Sequence, residues 1–353
     1  MSLLRIIVAV VATFAFFMVN TVIVMYLERK VLGHLQSRLG PMRTGFHGIL
    51  QPIADAVKVL AKEDLCPARA DRILFRLAPI MAFVPAFLVW AAMPWAESFF
   101  GLDLDVGVFY VFAVAALFPI GLLVAGWASN NKYSLLGGFR AAAQQVSYEV
   151  PMLLSVMGVV MLAGSLGLTS IVDAQSSTWF VFLQPLAFVL YLICILAELN
   201  RVPFDMPEAE SELVAGFSVE YSGMRFAMFF LAEYANVFTM SVLGALLFLG
   251  GWSGPFLPGL AWLLLKAYLI VTFIVMVRGT LPRIRVDQLM AFGWKILLPM
   301  ALANVLITGV GIVVGWWALV ALEILALGLL FWLISAVAGS AGGALPADAE
   351  VLP

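Results

Sequence analysis

The sequence has few of the residues that bind metal ions or form disulfide bridges. It contains two cysteines, Cys66 and Cys194, and no CxxC motif, so neither a disulfide framework nor a thiolate metal site is expected. A membrane helix that binds haem would need its axial ligands within a long apolar run. The two histidines, His34 and His47, both lie outside these runs. We therefore expect no metal site and no redox centre on this chain.

Charge and nucleotide-binding motifs are scarce as well. Charged residues make up 11% of the chain, whereas about a quarter of a soluble domain is charged. The motifs GxGxxG and GxxxxGKS/T, which bind dinucleotides and phosphates, are both absent. A soluble globular domain is excluded, and we expect neither a nucleotide bound by this chain nor a nucleic acid partner.

Apolar residues dominate the chain. Hydrophobic residues form 64% of it, with 27 Phe and 10 Trp, and the mean hydropathy is +1.07. Runs of about 20 apolar residues recur, and each is long enough to cross a hydrocarbon core of about 30 Å. The runs lack the alternation of a membrane β-barrel, so they are predicted to be helices. The sequence predicts an all-α polytopic membrane protein.

Nine runs are predicted to span the membrane, within one membrane domain over residues 1–338. They cover residues 3–27, 79–96, 108–128, 146–165, 180–198, 232–250, 261–278, 296–315 and 318–338. The tail, 339–353, is rich in Gly, Ala and Pro and is expected to be disordered.

The first long loop, 28–78, is predicted to carry a short amphipathic helix. In its segment HGILQPIADAVKVLAKED, one face is apolar and the other is charged. The apolar face holds Ile49, Ile53, Val57 and Leu60, and the charged face holds Asp55, Lys58 and Lys62. This helix is too short and too charged to span, so it is expected to lie on the membrane surface or against a partner.

The basic residues indicate an orientation. Four alternate loops, with Arg278 at the border of the last, hold 17 of the 19 Lys and Arg residues. The loops between them hold none. By the positive-inside rule, the N-terminus is expected outside and the loops 28–78 and 199–231 in the cytoplasm.

The loop 199–231 and its borders are unusually acidic. Between Glu198 and Tyr234 there are seven carboxylates and two basic residues. Glu208 and Glu212 would share a helix face about 6 Å apart. At an effective dielectric constant of about 20, their repulsion is roughly 2.8 kcal/mol, or about two pK units, but in water it is small. Burial therefore decides between a proton-transferring group and a solvated acidic loop.

Other ionisable residues lie within or at the ends of predicted spans. Glu149, Glu198 and Glu233 are embedded in apolar sequence, which by default marks an ion or proton pathway. Pairing with a structural arginine is the alternative. Lys266 is a weaker case of the same kind, and Glu323 has no partner that the sequence reveals. The aromatic residues around Phe230 form either plain core or the wall of a hydrophobic ligand path.

Several segments resemble one family, the H-subunit family of respiratory complex I, the proton-pumping NADH:quinone oxidoreductase. The most specific are GILQPIADAVKVLAKE (48–63) and PFDMPEAESELVAG (203–216). ERKVLGHLQSRLGP, NKYSLLGGFRAAAQQVSYEVP, EYSGMRFAMFFLAEY and LPRIRVDQLMAFGWK are similar too, so the resemblance extends over nearly the whole chain. Members have eight spans, or nine in some bacteria, and the length of 296–338 favours nine here.

The resemblance implies a role in quinone reduction and in proton translocation. Residues of the surface helix and its neighbours would line the quinone chamber: Arg29, Arg38, Asp55, Lys58, Lys62, Glu63, Phe226 and Phe230. Carboxylates would form a proton path: Glu149, Glu198, Asp205, Glu208, Glu210, Glu212, Glu220 and Glu233. Arginines would balance or dock these acids: Arg140, Arg201, Arg278, Arg283 and Arg285.

The resemblance also implies the setting. Quinone would be the substrate, while the iron–sulfur cluster, FMN and NADH would be bound by partner subunits. The partners would be peripheral-arm subunits, small membrane subunits, antiporter-like subunits and membrane lipid, in a bacterial inner membrane. Two alternatives stay open on the residues alone: a membrane subunit of an energy-converting hydrogenase, and a free-standing proton-coupled transporter.

Overall fold

The computed structural model describes residues 3–96, 99–100, 103–207 and 210–342, and most of them are helical. The α-helices are α1 Leu3–Leu35, α2 Gln51–Leu60, α3 Arg72–Leu88, α4 Gly107–Ala115, α5 Phe118–Ala128, α6 Lys132–Ala163, α7 Leu168–Ala174, α8 Phe180–Leu183, α9 Pro185–Glu198, α10 Glu210–Leu213, α11 Gly223–Phe248, α12 Gly259–Thr280, α13 Val286–Phe292, α14 Leu298–Val314 and α15 Trp316–Gly342.

Short irregular elements connect these helices. There are 3₁₀ helices at Phe46–Gly48, Val89–Ala92 and Gly216–Ser218, a π-helical segment at Gly293–Leu297, and an antiparallel pair of strands, β1 Pro94–Ala96 and β2 Phe99–Phe100. The predicted all-α class is confirmed.

Eight helical segments within the described residues are long and apolar enough to cross a membrane. They are Ile7–Leu35, Arg72–Ala92, Gly107–Ala128, Lys132–Ala163, Gly223–Phe248, Gly259–Thr280, Val286–Val314 and Trp316–Ser335. Each corresponds to one predicted span. The polytopic membrane architecture is thereby confirmed.

The predicted span 180–198 is instead divided between α8 and α9. Pro185 disfavours a helical conformation at the residue before it, and Gln184 accordingly has φ −131° and ψ 62°. The helix that resumes, Pro185–Glu198, is apolar but shorter than the other eight segments. In its first turn Leu186 and Ala187 are buried, and Glu323 of α15 accepts hydrogen bonds from their backbone N–H groups.

Several helices continue beyond their apolar runs. α1 extends to Leu35 rather than 27, α6 begins at Lys132 rather than 146, and α11 begins at Gly223 rather than 232. The start of α6 has a local cause, because the Asn131 side chain accepts a hydrogen bond from Tyr133 N at 2.9 Å. Hydropathy finds the apolar part of a helix and assigns polar extensions of this kind to loops.

The centre of the bundle is formed by α6, α9 and α11. In the most apolar window of α11, 61% of the residues are buried, against 17% in α15, which lies at the edge. Small residues let helices approach closely: a Cβ on Gly121 would lie 2.8 Å from Ala82 N. At the C-terminus, α15 runs four residues into the segment expected to be disordered, and 343–353 lies outside the described residues.

Candidate functional site

The predicted surface helix is α2, and it contacts α1 and α11. Arg29 of α1 forms an ion pair with Asp55 of α2, and Gln51 Nε2 donates to Asp55 Oδ1 at 3.0 Å. Partial burial raises the pKa of Asp55, but the hydrogen bonds from Arg29 and Gln51 and the charges of Arg29 and Lys58 outweigh it, so the net shift is downward. Asp55 is therefore a fixed anion that anchors α2 to α1.

The remaining charged residues of this region are accessible. Arg38, Lys58, Lys62 and Glu63 are all exposed. The apolar face of α2 is accessible too, with Ile53 48% exposed and Leu60 63% exposed. Side chains on both the charged and the apolar face of α2 are therefore accessible to neighbouring molecules.

The segment after α2 is fastened to the start of α11. Arg225 Nη2 lies 3.1 Å from Asp64 Oδ2, and Ser222 Oγ donates to Glu63 O at 3.0 Å. Leu65 N donates to the same Ser222 oxygen at 3.0 Å. Residues far apart in sequence therefore hold α2 beside α11.

Aromatic residues form a row on α11 at helical spacing. The rings of Phe226 and Phe230 stack with their centroids 5.8 Å apart, and Phe230 contacts Tyr234 at 4.9 Å. Both phenylalanines are half-buried. The Arg201 guanidinium lies 4.6 Å from the centre of the Tyr234 ring, which is a favourable cation–π geometry. The row leads from an accessible apolar surface to a buried charge.

That charge belongs to a cluster of Glu28, Arg201 and Arg278, here called the Glu28 cluster. Glu28 lies in α1 and is 6% exposed. Its Oε1 accepts a hydrogen bond from Arg278 at the end of α12, and its Oε2 lies 3.5 Å from Arg201 Nη1. The side chain of Arg201 is 8% exposed and that of Arg278 is 31% exposed. One buried carboxylate therefore pairs with two arginines from distant parts of the chain.

Glu198 and Glu149 meet between α9 and α6. Glu198 is 6% exposed, and Glu149 is close enough for the two carboxyl groups to interact electrostatically. The end of α9 is fixed by α6, because Gln145 Nε2 donates to Glu198 O at 2.9 Å and Gln144 Nε2 donates to Phe204 O at 2.6 Å. Within the described residues, Glu198 Oε2 has no hydrogen-bond partner. The pair thus consists of a buried acid, Glu198, and a half-buried acid, Glu149, which is the kind of arrangement that proton transfer uses.

The other acids have different surroundings. Glu212 is accessible and pairs with Arg140 at 2.6 Å; this hydrogen bond lowers the pKa of Glu212 and outweighs burial, which raises it slightly. Glu220 Oε1 accepts from Asn131 Nδ2 at 2.6 Å. Asp205 is half-buried, and Glu233 is buried within α11. Glu208 and the side chain of Glu210 lie outside the described residues.

Two predicted cations follow α12. Arg283 is half-buried and electrostatically coupled to Glu212. Arg285 is exposed and precedes α13, where its backbone N–H donates to Gln288 Oε1 at 3.4 Å. Arg140 and Arg283 are thus associated with the acidic segment, whereas Arg201 and Arg278 belong to the Glu28 cluster.

Lys266 and Glu323, for which the sequence suggests no partner, contact backbone at helix ends. Lys266 Nζ donates to three carbonyl oxygens after α11, those of Leu249, Gly251 and Ser253, at 2.6 to 2.9 Å. Glu323 Oε2 accepts from Leu186 N, in the first turn of α9, at 3.1 Å. These contacts satisfy backbone groups that a helix end leaves free.

Sequence reasoning missed Glu28 and Tyr234 as members of the site. Glu28 stands in the sequence Glu28-Arg29-Lys30, which reads as an ordinary basic boundary of a span. The available signal was a carboxylate at the polar end of an apolar helix, in a chain whose charged residues are scarce. Its two arginine partners are 173 and 250 residues away, a separation that no local pattern reveals.

Comparison with known proteins gives a consistent result. A family model described as NADH dehydrogenase matches residues 8–309. A protein of Dehalococcoides mccartyi, named as the H subunit of NADH-quinone oxidoreductase, is 52% identical over 311 residues, which are 88% of each chain. A namesake from Geobacillus kaustophilus is 54% identical over 80% of this chain and 86% of its own length. Another namesake, from Geobacter sulfurreducens, is 48% identical over 85% of this chain and 93% of its own length.

Proposed function

The chain belongs to the NADH dehydrogenase family, as an H subunit of NADH-quinone oxidoreductase, and from that premise we propose that it forms the membrane part of the quinone site and couples quinone reduction to proton translocation. Membership makes it a membrane subunit of the oxidoreductase complex I. Within the described residues, no group of three or more His, Cys, Asp or Glu residues could hold a metal ion. In this proposal NADH and FMN supply electrons to an iron–sulfur cluster of a partner subunit, and that cluster reduces the quinone.

The observation that carries the proposal is the meeting of α1, α2 and α11. These three helices contact one another, and together they carry the Arg29–Asp55 pair and the aromatic row of Phe226, Phe230 and Tyr234. A quinone has a long apolar tail and a headgroup that accepts hydrogen bonds. An apolar, aromatic surface with a few charged groups is the kind of site that suits such a ligand.

The same surface adjoins the Glu28 cluster, which supports a route for coupling. Reduction of a quinone to a quinol consumes two electrons and two protons, so the site becomes more negative when its own side chains supply those protons. Tyr234 contacts Arg201, and Arg201 pairs with Glu28. A change of charge near Tyr234 therefore alters the electrostatic energy of the buried pair of Arg201 and Glu28, because the local dielectric constant is low.

Arg201 stands three residues after Glu198, and this short segment joins the Glu28 cluster to the buried acids. Gln144 holds the segment at both ends, through Ala197 O at 2.7 Å and Phe204 O at 2.6 Å. In the proposed mechanism, displacement of Arg201 moves the backbone that carries Glu198. The electrostatic interaction between Glu198 and Glu149 then changes, and protons are taken up or released by the pair.

The remaining predicted residues fit the assembly of the complex. Arg285 is an exposed cation suited to dock peripheral-arm subunits, and Arg38, Lys58 and Lys62 are exposed where the quinone chamber would face those subunits. The Arg140–Glu212 pair and Asp205, Glu220 and Glu233 would continue the path toward the small membrane subunits and the antiporter-like subunits. In the orientation that the basic residues predict, the acidic segment 199–231 faces the cytoplasm and the N-terminus faces the exterior.

The quinone part of the proposal is tested by removing an aromatic wall. Phe230→Ala in the assembled complex should raise KM for a short-chain quinone several-fold, because the ring that contacts Phe226 and Tyr234 is lost. Reduction of a water-soluble acceptor by NADH, which needs no quinone site, should be unchanged. Phe182→Ala, at a 65% exposed ring of α8, is the matched control. Equal KM values for the wild-type, Phe230→Ala and Phe182→Ala complexes would contradict the assignment of Phe230 to the quinone site.

The coupling part is tested by removing single charges. Glu198→Gln, Glu149→Gln and Glu212→Gln complexes are reconstituted into vesicles, and the number of protons pumped per NADH is measured. We expect the buried Glu198 variant to lose most pumping, and Asp173→Asn, at an exposed carboxylate of α7, to retain it. Full pumping by both Glu198→Gln and Glu149→Gln would refute the coupling route.

A further inference from the structure

A second buried polar cluster lies at the opposite end of α9 from Glu198. Its members Gln184, Asn304 and Thr308 are all 0% exposed. Gln184 Nε2 donates to Thr308 Oγ1 at 2.8 Å, and Thr308 Oγ1 donates to Asn304 O at 2.8 Å. α9 has 14 residues, so at 1.5 Å per residue the cluster is about 20 Å from Glu198. It is therefore separate from the proposed quinone and proton sites.

Gly158 of α6 forms the floor of this cluster. A Cβ at Gly158 would lie 2.7 Å from Asn304 Nδ2, 2.9 Å from Gln184 Nε2 and 3.1 Å from Thr308 Oγ1. Three polar side-chain tips therefore converge on one point of the α6 backbone, where no side chain separates them. Any larger residue at 158 would fill the space that these tips face.

Several atoms of the cluster have no partner within the described residues. They are Gln184 Oε1, Asn304 Nδ2 and Asn304 Oδ1. Buried polar atoms of this kind are costly unless they are hydrogen-bonded, and lipid supplies neither donors nor acceptors. Both the Nδ2 and the Oδ1 atom of Asn304 are among them. One group that accepts a hydrogen bond and donates another could therefore bind both atoms.

Glu323 of α15 extends the cluster. It is 0% exposed, and one of its oxygens accepts from Leu186 N, two residues after Gln184. The other oxygen, Oε1, has no hydrogen-bond partner within the described residues. In the part of the chain that the structure describes, the start of α9 thus faces polar atoms from α14 and α15, and together with Gln184 these include one unused donor group and three unused acceptors.

We propose that this cluster binds at least one ordered water molecule, held between Asn304 and Gln184 beside Gly158. Water both donates and accepts, which matches an amide NH₂ group together with two amide oxygens. Buried waters typically make about three hydrogen bonds to groups that would otherwise be unsatisfied. A bare cation fits less well, because it needs a shell of oxygens and would be repelled by the Asn304 NH₂ group.

The direct test is a density map of the assembled complex at a resolution that resolves buried water. We expect a peak about 2.7 to 3.2 Å from the amide tips of Asn304 and Gln184, and its loss in Asn304→Leu. A wild-type map that shows buried waters elsewhere but none here, with the two amides bonded directly to each other, would overturn the proposal. So would a peak with four or more oxygens at cation distances near about 2.4 Å.

Thermal stability gives an independent test with opposite signs. If water fills the site, Asn304→Leu lowers the unfolding midpoint, because the water loses the hydrogen bonds that the Asn304 amide provides. If the site is dry, the same change raises the midpoint, because an unsatisfied amide is replaced by an apolar group of similar size. Leu306→Met, at a 71% exposed position of the same helix, is the control and should change neither the midpoint nor the map. Failure of the Asn304 variant to assemble would leave the wild-type map decisive.

Discussion

Replacing Glu28 by Gln should destabilise the protein more than any single change at an exposed carboxylate. Gln has nearly the same shape as Glu, so the change removes a charge without creating a cavity. It leaves Arg201, whose side chain is 8% exposed, and Arg278, whose side chain is 31% exposed, without their shared carboxylate. Two cations from α12 and the segment after α9 would then face each other across a neutral amide.

The size of the effect follows from burial. Breaking a buried ion pair by removing one partner costs about 3 to 5 kcal/mol. Water can solvate part of Arg278, and the Tyr234 ring still faces Arg201, so the lower end of this range applies. We expect a loss of about 3 kcal/mol in the free energy of unfolding, or roughly 100-fold in the folding equilibrium.

The assay is denaturant- or heat-induced unfolding of the purified complex, with Glu63→Gln as the matched control. Glu63 is an exposed carboxylate whose backbone, and not its charge, contacts Ser222. A Glu28→Gln, Arg201→Gln double variant should recover part of the lost stability, because the two residues share one interaction. If the Glu28→Gln and Glu63→Gln complexes unfold at the same temperature or denaturant concentration, the buried Glu28 cluster does not have the predicted effect on stability.

Three further predictions concern the scaffold of the site. Lys266→Met should lower the free energy of unfolding by at least about 3 kcal/mol, because three carbonyls after α11 lose a charged donor; an unchanged thermal midpoint would contradict this. Gly137→Ala should cost about 1 to 3 kcal/mol by overpacking, because its Cβ would lie 2.6 Å from the Cα of Gly216; unfolding of the purified complex measures it. Since the pKa of Asp55 is lowered from 3.8, its ion pair with Arg29 is present at higher pH and is lost only as pH falls through the shifted value. Asp55→Asn should therefore reduce quinone reductase activity by the same factor at pH 6 and pH 8, and a factor that shrinks toward pH 6 would count against a fixed anion.

The architecture of this protein could be predicted from hydropathy because the membrane imposes it. Lipid leaves helices as the only spanning structure compatible with such apolar runs, so long helices appear at eight of the nine predicted spans. The ends of α6 and α11 could not be predicted in this way. The start of α6 is capped by Asn131, and the start of α11 is held by contacts of Ser222 and Arg225 with the segment after α2; neither contributes to a hydropathy window.

The candidate site was predictable only in part. Asp55 stood out because it lies on the charged face of a short amphipathic helix, and Glu198 because it ends an apolar run. The pairing of Arg201 with Glu28 of α1 depends on how α1, α11 and α12 pack. Lys266 is similar: its place in an apolar run suggested proton traffic, whereas in the structure its Nζ donates to three carbonyl oxygens of the turn after α11.

The central claim is that quinone binds where α1, α2 and α11 meet. The most direct measurement is photoaffinity labelling of the assembled complex in membranes with an azido-quinone, followed by mapping of the labelled peptides. We predict labels in the segments 29–62 and 226–234, and their loss when excess unmodified quinone competes. Labels confined to α14 and α15, on the other side of the bundle, would contradict the account.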